Sequence, residues 1–223
     1  NFQMNEQWLR TIFNMLKIDQ ILSPEELEQT IMNIKNVDQL NERNHYFRLN
    51  IETNAPIESG LGSSAACAVA LTGMLCKVKN ISLSRYKIAE KAWDIEVNKL
   101  KLYGGKQDQY ASAFGGMNAY YFEDKVTVSS YPRLIAENLA DNLLLIFTGK
   151  TRKSPKIQES FKRISNKQKK ALDKIKEIAF QADELILRSD IVGLGKLFNE
   201  AWKYKKKSNK VTNKEIDNIY DIA

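Results

Sequence analysis

Apolar positions first recur at helical spacing in Trp8, Leu9, Ile12, Phe13 and Leu16, which predicts an amphipathic helix over residues 5–18. A second helix is predicted from Ser23 as cap, Pro24 at the first position and Glu26 completing a capping box, with Leu27, Ile31 and Ile34 as its buried stripe. Polar residues over 36–44 read as a turn. Residues 46–53 then alternate, with Phe47, Leu49, Ile51 and Thr53 on one face and Arg48, Asn50 and Glu52 on the other, which predicts a half-buried strand. Beyond a glycine-containing stretch, the alanine-rich residues 65–78 predict a well-buried helix. Ser82 or Ser84 caps the next, which turns Ile88, Ala89, Ala92, Trp93 and Ile95 inward and ends near Leu100. Strands at 117–122 and 126–131 flank the turn-like Glu123-Asp124-Lys125 and predict a hairpin. The unbroken run Leu143-Leu144-Leu145-Ile146-Phe147 predicts a strand covered on both faces. The remainder is helical: 157–187, 191–206, and a last helix opened by Thr212 and Glu215 as a capping box.

This order predicts an α+β chain, strand-bearing first and helical afterwards, with a boundary near 150–155. The 223 residues, 43% of them hydrophobic, suffice for a sizeable core. No apolar run approaches the ~18–20 residues that span a bilayer, and residues 1–6 lack a signal-peptide layout, so the expected compartment is the cytoplasm, with no membrane partner.

A net charge of +7 is compatible with nucleic acid or with anionic small substrates. The densest basic stretch, Lys203 to Lys207, sits where a helix is predicted to end and reads as a solvated terminus, and no organised set of stacking aromatics accompanies it; no nucleic-acid partner is expected. Cys67 and Cys76 fall on one predicted helix, ~13 Å apart along its axis, and cannot pair with each other. The single histidine, His45, argues against a multi-histidine metal site. Any catalysis must lean on carboxylates, lysines and backbone.

The stretch Pro56-Ile57-Glu58-Ser59-Gly60-Leu61-Gly62-Ser63-Ser64-Ala65-Ala66 lies between a predicted strand and a predicted helix, where free N–H groups and the dipole favour an anion. Gly60 and Gly62 allow positive φ and close backbone approach, and the Ser63 and Ser64 hydroxyls can reach phosphate oxygens or Mg²⁺. The simpler reading is a tight turn in which Ser63 or Ser64 only caps the helix. The string is neither a Walker A loop nor a dinucleotide fingerprint.

Two carboxylates stand out. Asp108 lies in Leu102-Tyr103-Gly104-Gly105-Lys106-Gln107-Asp108-Gln109-Tyr110, a glycine-led turn entering a helix, and Glu96 lies twelve residues earlier. Asp108 can accept or orient a hydroxyl proton, or it can cap the helix that begins near Gln109. The basic Lys150, Arg152 and Lys153 follow the predicted Leu143–Phe147 strand. Lys150 or Arg152 is a candidate for holding a substrate phosphate, against a solvated basic loop. Lys106 could lower an acceptor hydroxyl's pKa, against a plain surface lysine.

The string Pro-x-x-x-Gly-Leu-Gly-Ser-Ser-Ala-Ala resembles the second signature motif of the GHMP superfamily of small-molecule kinases. The stretch from Gly105 to Asn118 and the segment Phe147-Thr148-Gly149-Lys150-Thr151-Arg152-Lys153-Ser154 most resemble the branch acting on D-glycero-D-manno-heptose 7-phosphate. The resemblance implies a two-lobed fold: residues 1–154 as an ATP-binding lobe like ribosomal protein S5 domain 2, and 155–223 as the start of a ferredoxin-like lobe. The first and third motifs are not found, so both ends are expected to be incomplete. By resemblance, Pro56, Gly60, Leu61, Gly62, Ser63, Ser64 and Ala65 wrap the ATP phosphates, Ser64 and Glu96 hold Mg²⁺, Asp108 is the proton acceptor, and Lys106, Lys150 and Arg152 are substrate-side. The implied activity is ATP-dependent phosphorylation of a sugar or sugar phosphate; a homodimer stays open. The alternatives are another acceptor of the superfamily, such as galactose, fucose, homoserine or mevalonate, and a non-catalytic regulator on the same scaffold.

Overall fold

The computed structural model describes residues 54–55, 59–78, 80–102, 104–148, 165–208 and 211–222. The helices predicted over 5–18 and 23–34, the strand over 46–53, His45 and the 150–155 boundary lie outside them. The described chain is α+β. Helices α1 (Ser63–Val78) and α2 (Arg85–Trp93) come first, followed by a π-helical turn (Asp94–Lys99) and α3 (Gln107–Phe114). Strands β1 (Asn118–Phe122) and β2 (Val126–Ser130) precede α4 (Arg133–Asp141), α5 (Asn166–Leu187), α6 (Ile191–Ser208) and α7 (Lys214–Ile222).

Local chemistry explains the boundaries. Past its C-terminus α1 closes in a Schellman arrangement: Asn80 takes φ 54°, its amide donates to Lys77 O and the Ile81 amide to Cys76 O. Ser84 caps α2 by accepting from the Lys87 amide at 3.3 Å, which decides between the two predicted serines. β1 and β2 pair antiparallel, with Asn118 opposite Ser130 and Phe122 opposite Val126, as the alternation predicts.

Four expectations are corrected. Of the helix predicted over 157–187, residues 157–164 lie outside the described residues, and the prediction is broken at Ser165, which is extended at φ −73°, ψ 161° and caps α5 in a capping box with Gln168. The last helix is capped by Asn213, whose Oδ1 accepts from the Ile216 amide at 2.9 Å, while the Thr212 hydroxyl turns to Asp217. Residues 133–141, given no element by the hydrophobic pattern, form α4, entered through Pro132 and supported by an Arg133–Glu137 ion pair at 2.7 Å. Residues 143–148 form no strand and lie exposed, Leu144 at 84%. A strand exists only by pairing, and among the described residues only β1 and β2 pair.

The core that positions the site lies between α1, α2 and the π turn. Ala68, Val69, Leu71, Leu75 and Cys76 of α1 pack on Ala92 and Ile95. Small alanines bring the helices close. An aromatic cluster extends this core to the hairpin: Tyr86 meets Phe114 edge-on at 4.8 Å, Tyr110 meets Phe122 at 5.8 Å, and the Tyr86 hydroxyl accepts from the Val128 amide. Further along, the hydroxyls of Tyr121 and Tyr131 both donate to Asp183 of α5, fastening hairpin to helix.

Candidate active site

The glycine stretch has the backbone its residues allow. Gly60 and Gly62 take φ +81° and +70°, and α1 begins immediately afterwards at Ser63, its first turn closed by the Ala66 amide donating to Gly62 O at 2.9 Å. The first N–H groups of a sixteen-residue helix and the positive end of its dipole therefore stand beside a backbone without side chains. Ser59 Oγ is buried and has no hydrogen-bond partner among the described residues.

Asp108 meets this loop. A Cβ placed on Gly62 would lie 3.6 Å from Asp108 Cγ and 3.9 Å from its Oδ2, ordinary van der Waals contact, so the carboxyl sits directly against this loop position. Lys106, not Asp108, holds the N-cap position of α3, and no side chain caps there. Asp108 lies in the first turn, and among the described residues its carboxylate takes part in no hydrogen bond; its backbone oxygen accepts from Ser112. The capping alternative is thus removed for Asp108. It is also removed for Ser64, whose hydroxyl is directed elsewhere.

That direction is Glu96. Glu96 stands in the π turn, 6% exposed, on the inward stripe of Ala89, Ala92 and Ile95. One carboxylate oxygen accepts from Ser64 Oγ and the other from Gln109 Nε2 at 2.6 Å. A single-turn π segment of this kind recurs at functional sites because it re-aims side chains within a helix. No lysine or arginine among the described residues pairs with Glu96. Among the described residues only neutral groups donate to its carboxylate.

The donor set fits a hard divalent cation. Carboxylate and hydroxyl oxygens are what Mg²⁺ takes, and it commonly uses one or two carboxylates with water and substrate phosphate completing its shell. Among the described residues no cluster of three or more His, Cys, Asp or Glu forms a cage. Cys67, one turn into α1, records the same field: burial and then the Glu96 charge push its thiol up. Neither cysteine is in a disulfide.

Lys106 lies with its ammonium 4.5 Å from the Trp93 ring centroid, and both line a pocket of about 380 Å³ with Lys87 and Lys91. Pro56, Lys150 and Arg152 lie outside the described residues. Leu61 is exposed at the loop tip, and Ala65 is buried in the first turn of α1. The structure thus brings Gly62 to Asp108 and Ser64 to Glu96. Gln109, to which the motif reading gives no role, joins the second pair; its signal was its place directly after the aspartate.

Comparison with known proteins follows this geometry. Residues 19–116 match the GHMP kinases N terminal domain. The chain is 34% identical over 184 residues, 79% of its length, to a D-glycero-alpha-D-manno-heptose 7-phosphate kinase of Campylobacter jejuni, of which it covers 54%. It is 30% identical over 95 residues to a galactokinase of Thermosipho africanus, covering 43% of this chain and 27% of that protein. The crystal structure of a D-glycero-D-manno-heptose 1-phosphate kinase from Bacteriodes thetaiotaomicron superposes with a TM-score of 0.56 at 32% identity, over 69% of this chain and 46% of that one. The chain therefore spans about half the length of the heptose phosphate kinases it resembles. Among the described residues no helix is long and apolar enough to cross a membrane.

Proposed function

From the GHMP kinase N-terminal domain that this chain carries over residues 19–116, we propose that the protein transfers the γ-phosphoryl group of ATP to a hydroxyl of a heptose phosphate. The observation that carries this reading is the meeting of Asp108 with the glycine loop at Gly62, which sets a carboxylate that has no hydrogen bond among the described residues beside the start of α1. The relatives' names support the acceptor class: one is a 7-phosphate kinase and another a 1-phosphate kinase of the same heptose.

Phosphoryl transfer asks for a held phosphate, neutralised charge and an oriented hydroxyl. In this reading the loop backbone at Gly60 and Gly62, the Ser63 hydroxyl and the first N–H groups of α1 bind the ATP phosphates, with Leu61 and Ala65 shaping the turn. Ser64 and Glu96 would hold Mg²⁺, which supplies charge neutralisation to the phosphate oxygens. Asp108 accepts the proton of the acceptor hydroxyl, at its carboxylate, as that oxygen attacks; ADP leaves and a heptose bisphosphate forms. Lys106, Lys150 and Arg152 act on the substrate side, where an arginine can grip a phosphate with two parallel hydrogen bonds. Residues 1–154 form the ATP-binding lobe and 155–223 belong to a second lobe.

The test is a panel of sugars and sugar phosphates incubated with ATP, Mg²⁺ and the full-length protein, read by coupled ADP release. The expected result is turnover fastest with a heptose phosphate. Turnover fastest with galactose, fucose, homoserine or mevalonate moves the acceptor elsewhere in the superfamily. Nucleotide binding without turnover on any acceptor overturns the kinase reading in favour of a regulator.

A further inference from the structure

Gln109 is 5% exposed and spends one end of its amide on Glu96, Nε2 to Oε2 at 2.6 Å. A carboxylate only accepts, so the nitrogen must face Glu96 and the amide oxygen must face away. That oxygen, Oε1, is buried and has no hydrogen-bond partner among the described residues. A buried acceptor left unpaired costs about 1–3 kcal/mol, and such orphans in folded proteins call for a cause. Gln109 is held through its neighbour: Tyr110 is buried in the aromatic cluster, and the Tyr110 amide closes the first turn of α3 on Lys106 O. The side chain cannot swing to water without breaking its bond to Glu96.

We propose that Gln109 is a positioning residue for the cation and nucleotide site, an inference that rests on the reading of Ser64 and Glu96 as the cation's holders. Its N–H fixes one oxygen of Glu96 so that the other stays directed at Ser64, thirty-two residues earlier in the chain. Its orphaned carbonyl is the acceptor for a water that enters with the hydrated divalent cation. The arrangement is one in which a second partner orients a ligating carboxylate, and loss of such partners typically costs ~10–100-fold in metal affinity. The π turn contributes the geometry: it holds the Glu96 carboxylate between a donor from α1 and a donor from α3, which otherwise share no hydrogen bond at the site.

The experiment is titration of the full-length protein with Mn²⁺ in the presence of ATP, followed by the loss of the free-ion paramagnetic resonance signal. Gln109→Met keeps the length and volume but carries no amide, and Gln109→Asn keeps the amide but shortens its reach. Both are expected to weaken Mn²⁺ binding by ~10–100-fold with metal-free ATP affinity close to wild type, alongside a lower unfolding midpoint because Glu96 Oε2 loses its donor. Unchanged Mn²⁺ affinity in both variants, with Glu96→Gln still lowering it, overturns the positioning role and leaves the site reading standing. Unchanged affinity in Glu96→Gln overturns the site reading and this proposal with it. A fall in unfolding midpoint of the Gln109 variants without a change in Mn²⁺ affinity assigns Gln109 to structure alone and also overturns the proposal.

Discussion

The Ser64 hydroxyl at the start of α1 donates to the Glu96 carboxylate in the π turn, joining the glycine loop to the one buried acidic side chain among the described residues. Removing the charge while keeping the shape should separate stability from binding. Glu96→Gln keeps the length and an oxygen that can accept from Ser64 or Gln109, and is expected to leave the metal-free protein about as stable as wild type. Addition of Mg²⁺ and ATP at 100 times the dissociation constant should stabilise wild type by about 2.7 kcal/mol and the variant by far less. Thermal unfolding of both proteins with and without Mg²⁺ and ATP measures the two effects together.

Gly60 and Gly62 differ in what surrounds them, and alanine at each should report it. Both hold positive φ, which costs an L-residue about 1–2 kcal/mol. A Cβ at Gly60 meets nothing within 4 Å, whereas one at Gly62 stands against Asp108. Denaturant unfolding should show similar losses of stability for Gly60→Ala and Gly62→Ala. ATP affinity and turnover should fall much further in Gly62→Ala.

The Tyr121 and Tyr131 hydroxyls share Asp183, and this pair sets an alkaline limit. Burial, then the hydrogen bond and charge of Asp183, push both phenols above their ordinary value, Tyr131 far above it. A group whose folded pKa is raised contributes stability in full below its unfolded pKa, about 10 for tyrosine, and loses it as pH rises through the folded value. The hairpin should therefore stay fastened to α5 through pH 10 and loosen only well above it. Tyrosinate absorbance in Asp183→Asn should show two phenols titrating earlier than in wild type, and the variant should unfold at lower alkaline pH.

Helix starts offer a test of the local reading. Ser84→Ala removes the oxygen that holds the Lys87 amide and should cost about 1 kcal/mol. Asn213→Ala should cost a similar amount by freeing the Ile216 amide, whereas Thr212→Ala should cost less because that hydroxyl is not the cap. Urea unfolding midpoints decide both.

What was legible from residues alone follows how local the information is. The α1 and α2 helices, the hairpin and the turn between them announce themselves through periodicity and caps, all within a few residues. Glu96 was legible by its place twelve residues before Asp108 and, by resemblance, beside Ser64 at a shared cation. Gln109 was not: it lies thirteen residues from Glu96 and only packing brings the two together. The Leu143–Phe147 run misled for the same reason, since apolar content predicts burial but a strand needs a partner that the run itself does not contain. α4 escaped because it is only nine residues long and buries none of them fully, although its half-buried Ile135, Ala136 and Leu139 do recur at helical spacing. Asp183 gave no local sign of binding two tyrosines more than fifty residues earlier. The π turn has no sequence mark that we can name.

In the proposed reaction Asp108, set against Gly62, takes the proton of the acceptor hydroxyl. The most direct measurement is steady-state ADP release from ATP and a heptose phosphate by the full-length protein and its Asp108→Asn variant, beside ATP affinity by titration. Turnover lowered by about 10²–10⁴-fold, as loss of a proton-accepting group predicts, with ATP affinity nearly unchanged, is the expected result. Turnover in Asp108→Asn equal to wild type would contradict that role.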